Sequence, residues 1–377
     1  MHLTLNAPTF LSRIDWGIVA DVTAKSTTRR RRSSSAVTIR TVAEQAGVSM
    51  MTVSNVINGT GQVSEKTRAA VRQAIRSTGY IPNDEARRLA TGGSKRIALI
   101  YTGNQVPFLG EVLFSAFNAT AGFGAQLVLR ASSSFTRAAL EKLTLGVARN
   151  GIQGLLLLPP CAELLSGRPV LSEINVATIA TAAPMPDMHT VRIDNRTATA
   201  TLTEHLIRLG HRRIGFITGA VRHSDSKERQ IGYEQAMQQA NLTVHPELIV
   251  EGEFTFESGR RAAAQLLDLA IRPTAIVASN DEMAAGTLWM AQQRGLKLPD
   301  DLSVTGFDDT PTALKTWPPL TCIRQPLAAM VERSVALLMD DARDTKVNPP
   351  SDVVLDHVFV ERASTAPILV AQPRRKK

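Results

Sequence analysis

The stretch Thr38–Asn58, TIRTVAEQAGVSMMTVSNVIN, reads as two short helices joined by a tight turn. In the first, from about Ile39 to Ala46, the residues Val42, Ala43 and Ala46 share one face, and either Thr38, or Thr41 with Glu44 three residues on, can cap it. Gly47 ends it. Ser49 can cap the second, whose apolar stripe is Val53, Val56 and Ile57, and Asn58-Gly59 breaks the pattern. A third helix starts at Ser64, places Val71 and Ile75 four apart and stops at Gly79, with Pro82 preventing its return. Two helices about a glycine turn, with a third closing a small core, form the helix-turn-helix arrangement.

Charge is distributed in keeping with that reading. The chain has 377 residues and a net charge of +9, of which residues 1–94 supply 13 Lys/Arg against 6 Asp/Glu. Residues 95–377 hold 30 against 28, and Arg374 to Lys377 account for four of those cations, so the body between the ends is slightly acidic. A basic module on a near-neutral body suggests a polyanion partner for the module and a different partner for the body.

On either side of the helices the chain changes character. Residues 1–36 are expected to be an extension without helical or strand period, its Ser26–Ser35 end disordered; a start codon placed too far upstream explains them equally well. Arg13, Asp15 and Asp21 interrupt any signal-like apolar run, and Arg29 to Arg32 come last, the reverse of an export signal. After Pro82, the piece Glu85–Ala90 is too short to stand alone and reads as a hinge that becomes helical when bound. The expected layout is therefore a helix-turn-helix domain at 37–83, a hinge helix and linker at 84–94, a core at 95–365 and a basic tail at 366–377.

Beyond residue 95, buried-type strands alternate with amphipathic helices: Ile97–Tyr101, Gln126–Leu129, Gly154–Leu158, Val176–Ile179, Ile214–Ile217, Ala275–Ala278 and Leu302–Phe307. Continuous apolar strands separated by helices mean parallel sheets covered on both faces. About 270 residues of this is too much for one sheet, so two doubly wound α/β lobes are expected, lobe 1 at about 95–194 plus 325–352 and lobe 2 at about 195–324 plus 353–365. No internal repeat is visible in the sequence. In such folds a ligand sits beyond the carboxyl ends of the strands, which here places it in the cleft between lobes.

With 44% hydrophobic and 20% charged residues the chain can bury a sizeable core, and no apolar run approaches the roughly 18 residues of a membrane span. Cys161 and Cys322 are the only cysteines, which excludes a disulfide scaffold and a Cys-x-x-Cys zinc site and favours a reducing compartment.

Read together, Thr38–Asn58, Val63-Ser64 and Tyr80-Ile81-Pro82-Asn83 resemble the LacI/GalR family of bacterial transcription regulators. The likeness continues through Asp194-Asn195, Gly210-His211-Arg212, Arg229 with Gly232-Tyr233, Pro273-Thr274-Ala275, Asn280-Asp281, Val304 to Asp309 and Pro319-Leu320-Thr321. So many motifs in one order are far more specific than any one alone. The resemblance implies a dimer whose amino-terminal domains bind a pseudo-palindromic operator and whose periplasmic-binding-protein-like core senses a small effector, usually a sugar or sugar derivative. It implies a repressor of the bacterial cytoplasm, on the nucleoid when operator-bound, though some members activate. No carboxyl-terminal heptad pattern supports a tetramer.

Several residues acquire expected roles from this. Ser49, Met50, Met51, Thr52, Ser54 and Asn55 begin or line the second helix, the one that enters the major groove. By resemblance Met50 and Met51 stand where operators are discriminated, and Asn55 where an Arg is common. Asn pairs with adenine and Arg with guanine, each good pair contributing about 1–3 kcal/mol of discrimination, while a methionine can touch a thymine methyl. Thr52, Asn58, Gln62, Thr67 and Tyr80 match phosphate-holding positions, and Thr38, Ile39, Asn83 and Ala86 complete the expected DNA set. Leu89 matches a minor-groove wedge. The plainer alternative makes Met50 and Met51 mere surface residues and packs Leu89 on the core. Arg29 to Arg32 and Arg374 to Lys377 read first as solvated charge runs.

For the effector, the resemblance points to Asn104, Phe108, Asp194, Arg229, Phe254, Asn280 and Asp308, with Gln325 after the last crossover. Arg229 and Asp308 would clamp hydroxyls while Phe254 or Phe108 stacks on a ring. Asp194 reads equally well as a helix cap, as does its neighbour Asn195, and Asp309 is expected to face away. No cofactor and no metal are implied. An enzyme using Asp194, Asp281, Asp308 and Asp309 as acid and base is the first rival, but no Walker, His-Glu-x-x-His, Gly-x-Ser-x-Gly or Gly-x-Gly-x-x-Gly motif is present, and His205 and His211 read as structural. An exported solute-binding protein is the second, opposed by the helix-turn-helix.

Overall fold

The computed structural model describes residues 37–80, 95–101, 106–132, 134, 136–341 and 349–368. They form two compact units, residues 37–80 in the first and residues 95–368 in the second.

In the first unit, α1 (Ile39–Ala46), α2 (Met50–Asn58) and α3 (Glu65–Thr78) follow one another. Gly47 holds the left-handed conformation, φ 65°, that lets α1 stop and the chain turn at once into α2. Ser49 and Ser64 cap the next two helices, accepting from the backbone N–H of Thr52 at 3.1 Å and of Thr67 at 3.2 Å. Val42, Ala43, Val53, Val56, Val71 and Ala74 are buried together, with Ile39, Ile57, Ile75 and Tyr80 packed around them.

The second unit has two sheets of six strands each. The first contains β1 (Arg96–Tyr101), β2 (Gln126–Ala131), β3 (Gly154–Leu157), β4 (Asn175–Ile179), β5 (His189–Arg192) and β11 (Asp352–Val354). Its order is β11-β5-β4-β3-β1-β2 and every pairing is parallel. The second contains β6 (Ile214–Thr218), β7 (Ile249–Glu251), β8 (Ala275–Ala278), β9 (Ser303–Asp308), β10 (Thr321–Arg324) and β12 (Val358–Val360). Its order is β12-β10-β9-β8-β6-β7, parallel except where β12 runs antiparallel to β10. The two sheets thus share one winding order, a repeat of topology that the sequence does not display.

Strands β3, β6, β8 and β9 are buried at every position, and β3, β6 and β8 accordingly stand out as apolar runs. The sequence reading missed β5, β7, β10, β11 and β12. These are three or four residues long; β7, β11 and β12 are edge strands and β5 and β10 lie next to one, where polar residues are tolerated.

Helices α4 (Val106–Gly122), α5 (Arg137–Arg149), α6 (Cys161–Leu165) and α12 (Leu327–Asp341) accompany the first sheet; α7 (Asn195–Arg208), α8 (Ser224–Gln239), α9 (Phe256–Leu267), α10 (Asp281–Gln293) and α11 (Pro311–Lys315) accompany the second. The chain passes between the lobes three times, each time in a few residues: from Arg192 to Asn195, from Arg324 to Leu327 and from Val354 to Val358. Leu327, Met330, Val331, Val335 and Leu338 of α12 are buried in one cluster with residues of the first sheet, where the helix packs over β3, β4 and β5.

His205 and His211 have structural partners. His205 Nε2 meets Thr365 Oγ1 at 3.0 Å, and His211 bridges Thr274 and Ser303 at 2.9 and 3.0 Å. Burial lowers the pKa of both rings and keeps them neutral.

Candidate DNA face and effector cleft

In the first unit the residues of the turn and of the start of α2 form an exposed face. Ser49 is exposed, Met50 and Met51 retain 48% and 70% of their surface, and Thr52, Ser54 and Asn55 are half-buried. Two large apolar side chains left in water at a helix start are unusual for a stability role, and they flank backbone N–H groups suited to an anion. Arg40, Lys66, Arg72 and Arg76 are exposed on the same small unit. Thr38 and Gln62 are exposed; Thr67 shares a hydroxyl contact with Ser64 at 2.9 Å; Ile39 and Tyr80 pack on the core.

The Asn55 amide lies against the loop after α2. Its Oδ1 accepts from Thr60 Oγ1 at 3.5 Å, and a Cβ added to Gly61 would come within 2.9 Å of its Nδ2. The side chain of Asn58, and Asn83, Ala86, Leu89 and Asn104, fall outside the described residues, as do both terminal arginine runs.

In the second unit a cavity of about 40 Å³ opens at the carboxyl ends of the strands. Phe108 and Leu109 of α4, Leu158 and Pro159 after β3, and Ala180 after β4 line it from the first lobe. His223, Asp225 and Arg229 of α8 and its cap, Phe254 after β7, Asn280 after β8 and Asp308 at the end of β9 line it from the second. A volume of that size holds a few waters, so a ring-sized ligand requires the lobes to part or Phe254 to move.

Arg229 is the hub, with only 3% of its surface exposed. Its Nε donates to Asn195 Oδ1 at 2.9 Å, one Nη donates to the Ser279 carbonyl, and the other meets Asp225 Oδ2 at 3.2 Å. Asp308 Oδ1 lies 3.9 Å from Nη1, and the guanidinium stacks 3.8 Å over the Phe307 ring. Burial pushes the Asp308 carboxyl up to about 6, although Arg229 and the Gln325 amide, which donates to it at 2.6 Å, pull the other way. Asp308 also sits at φ 101°, a conformation that costs backbone energy and aims its carboxyl into the cleft side of the strand end.

Phe254 is 4% exposed at φ 60°, its ring against Gly219, where a Cβ would lie 1.9 Å from a ring carbon. His223 meets that ring edge-on with centroids 5.2 Å apart, and burial holds the imidazole neutral. Asn280 caps α10 by accepting from Met283 N–H at 2.9 Å and donates to the Phe254 carbonyl at 3.0 Å. Ser224 ties the lobes together: its hydroxyl donates to Glu163 Oε1 at 2.7 Å and accepts from Ala182 N–H at 3.2 Å. Burial raises the Glu163 carboxyl above its ordinary range.

Phe108, Arg229, Phe254, Asn280 and Asp308 therefore come together. Asp194 and Gln325 do not line the cavity. Asp194 is exposed and caps α7, accepting from Thr197 N–H at 3.0 Å and Thr197 Oγ1 at 2.7 Å; the helix start turns its neighbour Asn195 inward instead. Gln325 stands behind Asp308. Asp309 pairs with Arg324 and Arg362, each at 2.7 Å. The sequence reading missed His223, Asp225, Glu163 and Asn195. A signal existed for one of them, since Asp225 precedes Arg229 by four residues on one helix face.

Residues 38–83 match the family described as bacterial regulatory proteins, lacI family, and residues 203–365 a periplasmic binding protein-like domain. The HTH-type transcriptional repressor PurR of Pectobacterium carotovorum subsp. carotovorum (strain PC1) is 35% identical over 335 residues, spanning 87% of this chain and 97% of that protein. The PurR of Serratia proteamaculans (strain 568) is 36% identical with the same coverage. Among solved structures, a transcriptional regulator CelR–cellobiose complex shares 31% identity with a TM-score of 0.65, covering 87% of this chain and 99% of its own. A lac repressor dimer bound to operator and the anti-inducer ONPF shares 26% with a TM-score of 0.74, covering 88% and 99%.

Proposed function

Because the chain belongs to the LacI family of bacterial regulatory proteins, we propose that it represses transcription as a homodimer that reads a two-fold symmetric operator through α2 and is switched by a small hydroxylated effector in the interlobe cleft. That it is a DNA-binding transcriptional regulator with a small-molecule-binding core follows from its relatives. The observation that carries the finer reading is the convergence of Arg229, Asp308, Asn280 and Phe254 on one cavity bordered by both lobes.

On the DNA side, Met50, Met51 and Asn55 are the base-reading candidates, with Ser49, Thr52, Gln62 and Thr67 positioning the backbone. The dimer reading draws on two exposed apolar sets in the core. Phe114 and Phe117 of α4 keep 67% and 61% of their surface, and Trp289, Leu314 and Trp317 keep 40%, 67% and 83%. Surfaces of this kind mark association sites.

Coupling works through linkage. An effector that favours one lobe arrangement changes how two subunits present their DNA units, and a coupling of about 1–3 kcal/mol alters operator affinity roughly 5–150-fold, with effector affinity changing reciprocally. We read the site as one of binding rather than turnover, in a protein that works where the chromosome is, in the cytoplasm. No helix among the described residues is long and apolar enough to cross a membrane.

The test is selection of genomic fragments by the purified full chain at physiological salt. Recovery of one short symmetric site supports the reading; recovery only of salt-sensitive, sequence-independent binding overturns it.

A further inference from the structure

Given that the cleft is the effector site, its unpaired atoms indicate what the effector brings. Arg229 is the only guanidinium or ammonium lining the cavity among the described residues. It is already committed to Asn195, Ser279, Asp225 and Asp308, with one face closed by Phe307. Two carboxylates, Asp225 and Asp308, line the cavity against that single cation, and a third, Glu163, stands beside them on the Ser224 hydroxyl. His223 does not redress the balance, being neutral and 4.0 Å from Asp225 Oδ1, beyond hydrogen-bonding reach.

What is left over is mostly acceptor. Asp225 Oδ1, Glu163 Oε2 and Gln325 Oε1 are buried without a hydrogen-bond partner, and of the neighbouring donors Asn195 Nδ2 is left in the same state. The Asp225 side chain is only 9% exposed and lines the cavity, so its free oxygen is the point where the deficit meets the ligand. An orphaned buried carboxylate oxygen is costly and is relieved by a donor, most strongly by a charged one. A phosphate or carboxylate on the ligand would instead face surplus negative charge with no spare cation.

We propose that the effector is a small cation: a sugar-sized hydroxylated molecule carrying a protonated primary amine, seated with its ammonium on Asp225 Oδ1. Glu163 adds to the negative field from the other lobe, so the bound ammonium sits between carboxylates of both lobes. Phe254 and Phe108 supply the apolar walls for the ring. Arg229 then serves as a positioning residue that holds Asp225 and Asp308 in place.

Isothermal titration of the full-length protein with glucosamine, galactosamine and mannosamine, each beside its N-acetyl derivative and 6-phosphate, tests this. At least one free amine should bind about tenfold or more tightly than both its N-acetyl and phosphorylated counterparts. Asp225→Asn should abolish that preference and Glu163→Gln should weaken it. Equal or tighter binding of the N-acetylated or phosphorylated forms, or no binding by any free amine, overturns the proposal, and this readout needs no variant to fold. Operator affinity measured on the same preparation separates the two readings. If a neutral or phosphorylated sugar alters it, the regulator stands and the cationic effector falls; if the protein selects no operator at all, both fall.

Discussion

Arg229 and Asp225 are paired at 3.2 Å, one helical turn apart on α8, and both are almost wholly withdrawn from water. Such a pair gains little over apolar packing while intact, but leaves an uncompensated charge when one member is lost. The rest of the cleft is arranged around this constraint, because the same guanidinium also holds Asn195 and the end of β8.

Replacing Arg229 with Ala should therefore destabilise the core by about 3–5 kcal/mol. Urea unfolding of the variant, compared with Arg229→Ala/Asp225→Ala, checks it: the double variant should recover part of the loss, because it leaves one carboxylate fewer without a partner.

Asp308 makes stability depend on pH. Its carboxyl titrates near 6 in the folded chain, against about 3.9 when unfolded, so the folded state binds the proton more readily between those values. The stabilisation is fully present below about pH 4 and disappears as pH rises through 6, an effect of ~2–3 kcal/mol. Stability of the native chain relative to Asp308→Asn should fall by that amount from pH 4 to 7. A flat difference would contradict the assignment; Asn tolerates the positive φ at this position, so backbone strain does not confuse the comparison.

Gly219 faces the Phe254 ring so closely that Gly219→Ala must displace it. Ligand affinity should change by tenfold or about that, while operator binding by unliganded protein changes little. Fluorescence titration of both functions on one preparation decides it.

At the DNA face, Met51→Ala should alter stability by less than about 0.5 kcal/mol, since the side chain is 70% exposed. Ser49→Ala should cost about 1 kcal/mol through the lost cap of α2. If both variants lose operator affinity but only Ser49→Ala lowers the unfolding midpoint, Met51 acts on DNA directly.

A charge at Phe117, as in Phe117→Glu, should convert the proposed dimer to monomer in sedimentation velocity and weaken operator binding in parallel. A dimer that persists would move the interface elsewhere.

Much of the fold was legible because its signals are local. Gly47, Ser49, Asn58-Gly59 and Ser64 punctuate the three helices, and β3, β6 and β8 are unbroken apolar runs. His-Thr-Val-Arg of β5 and Thr-Cys-Ile-Arg of β10 gave no such signal, since their strand character comes from neighbours supplied by distant segments. In the site, Arg229, Phe254, Asn280 and Asp308 were legible only through the family resemblance, which carries positions that no local pattern marks. Asp194 and Asn195 were not separable, because the first turn of α7 decides which of two adjacent polar residues faces water. Glu163 comes to the cleft only where the two lobes meet, whereas Asp225 left a signal in its i,i+4 spacing from Arg229.

The three short passages between lobes have a consequence for how the chain is made. The first sheet is nearly complete by Arg192, yet α12, which packs over β3, β4 and β5, and the edge strand β11 lie after Arg324. A ribosome therefore releases nearly all of the second lobe before the first can close. During synthesis from the amino terminus the earlier lobe waits, its apolar face uncovered, for residues that follow Arg324. A frameshift just after Arg324 thus strips structure from the lobe built first as well as from the one built last.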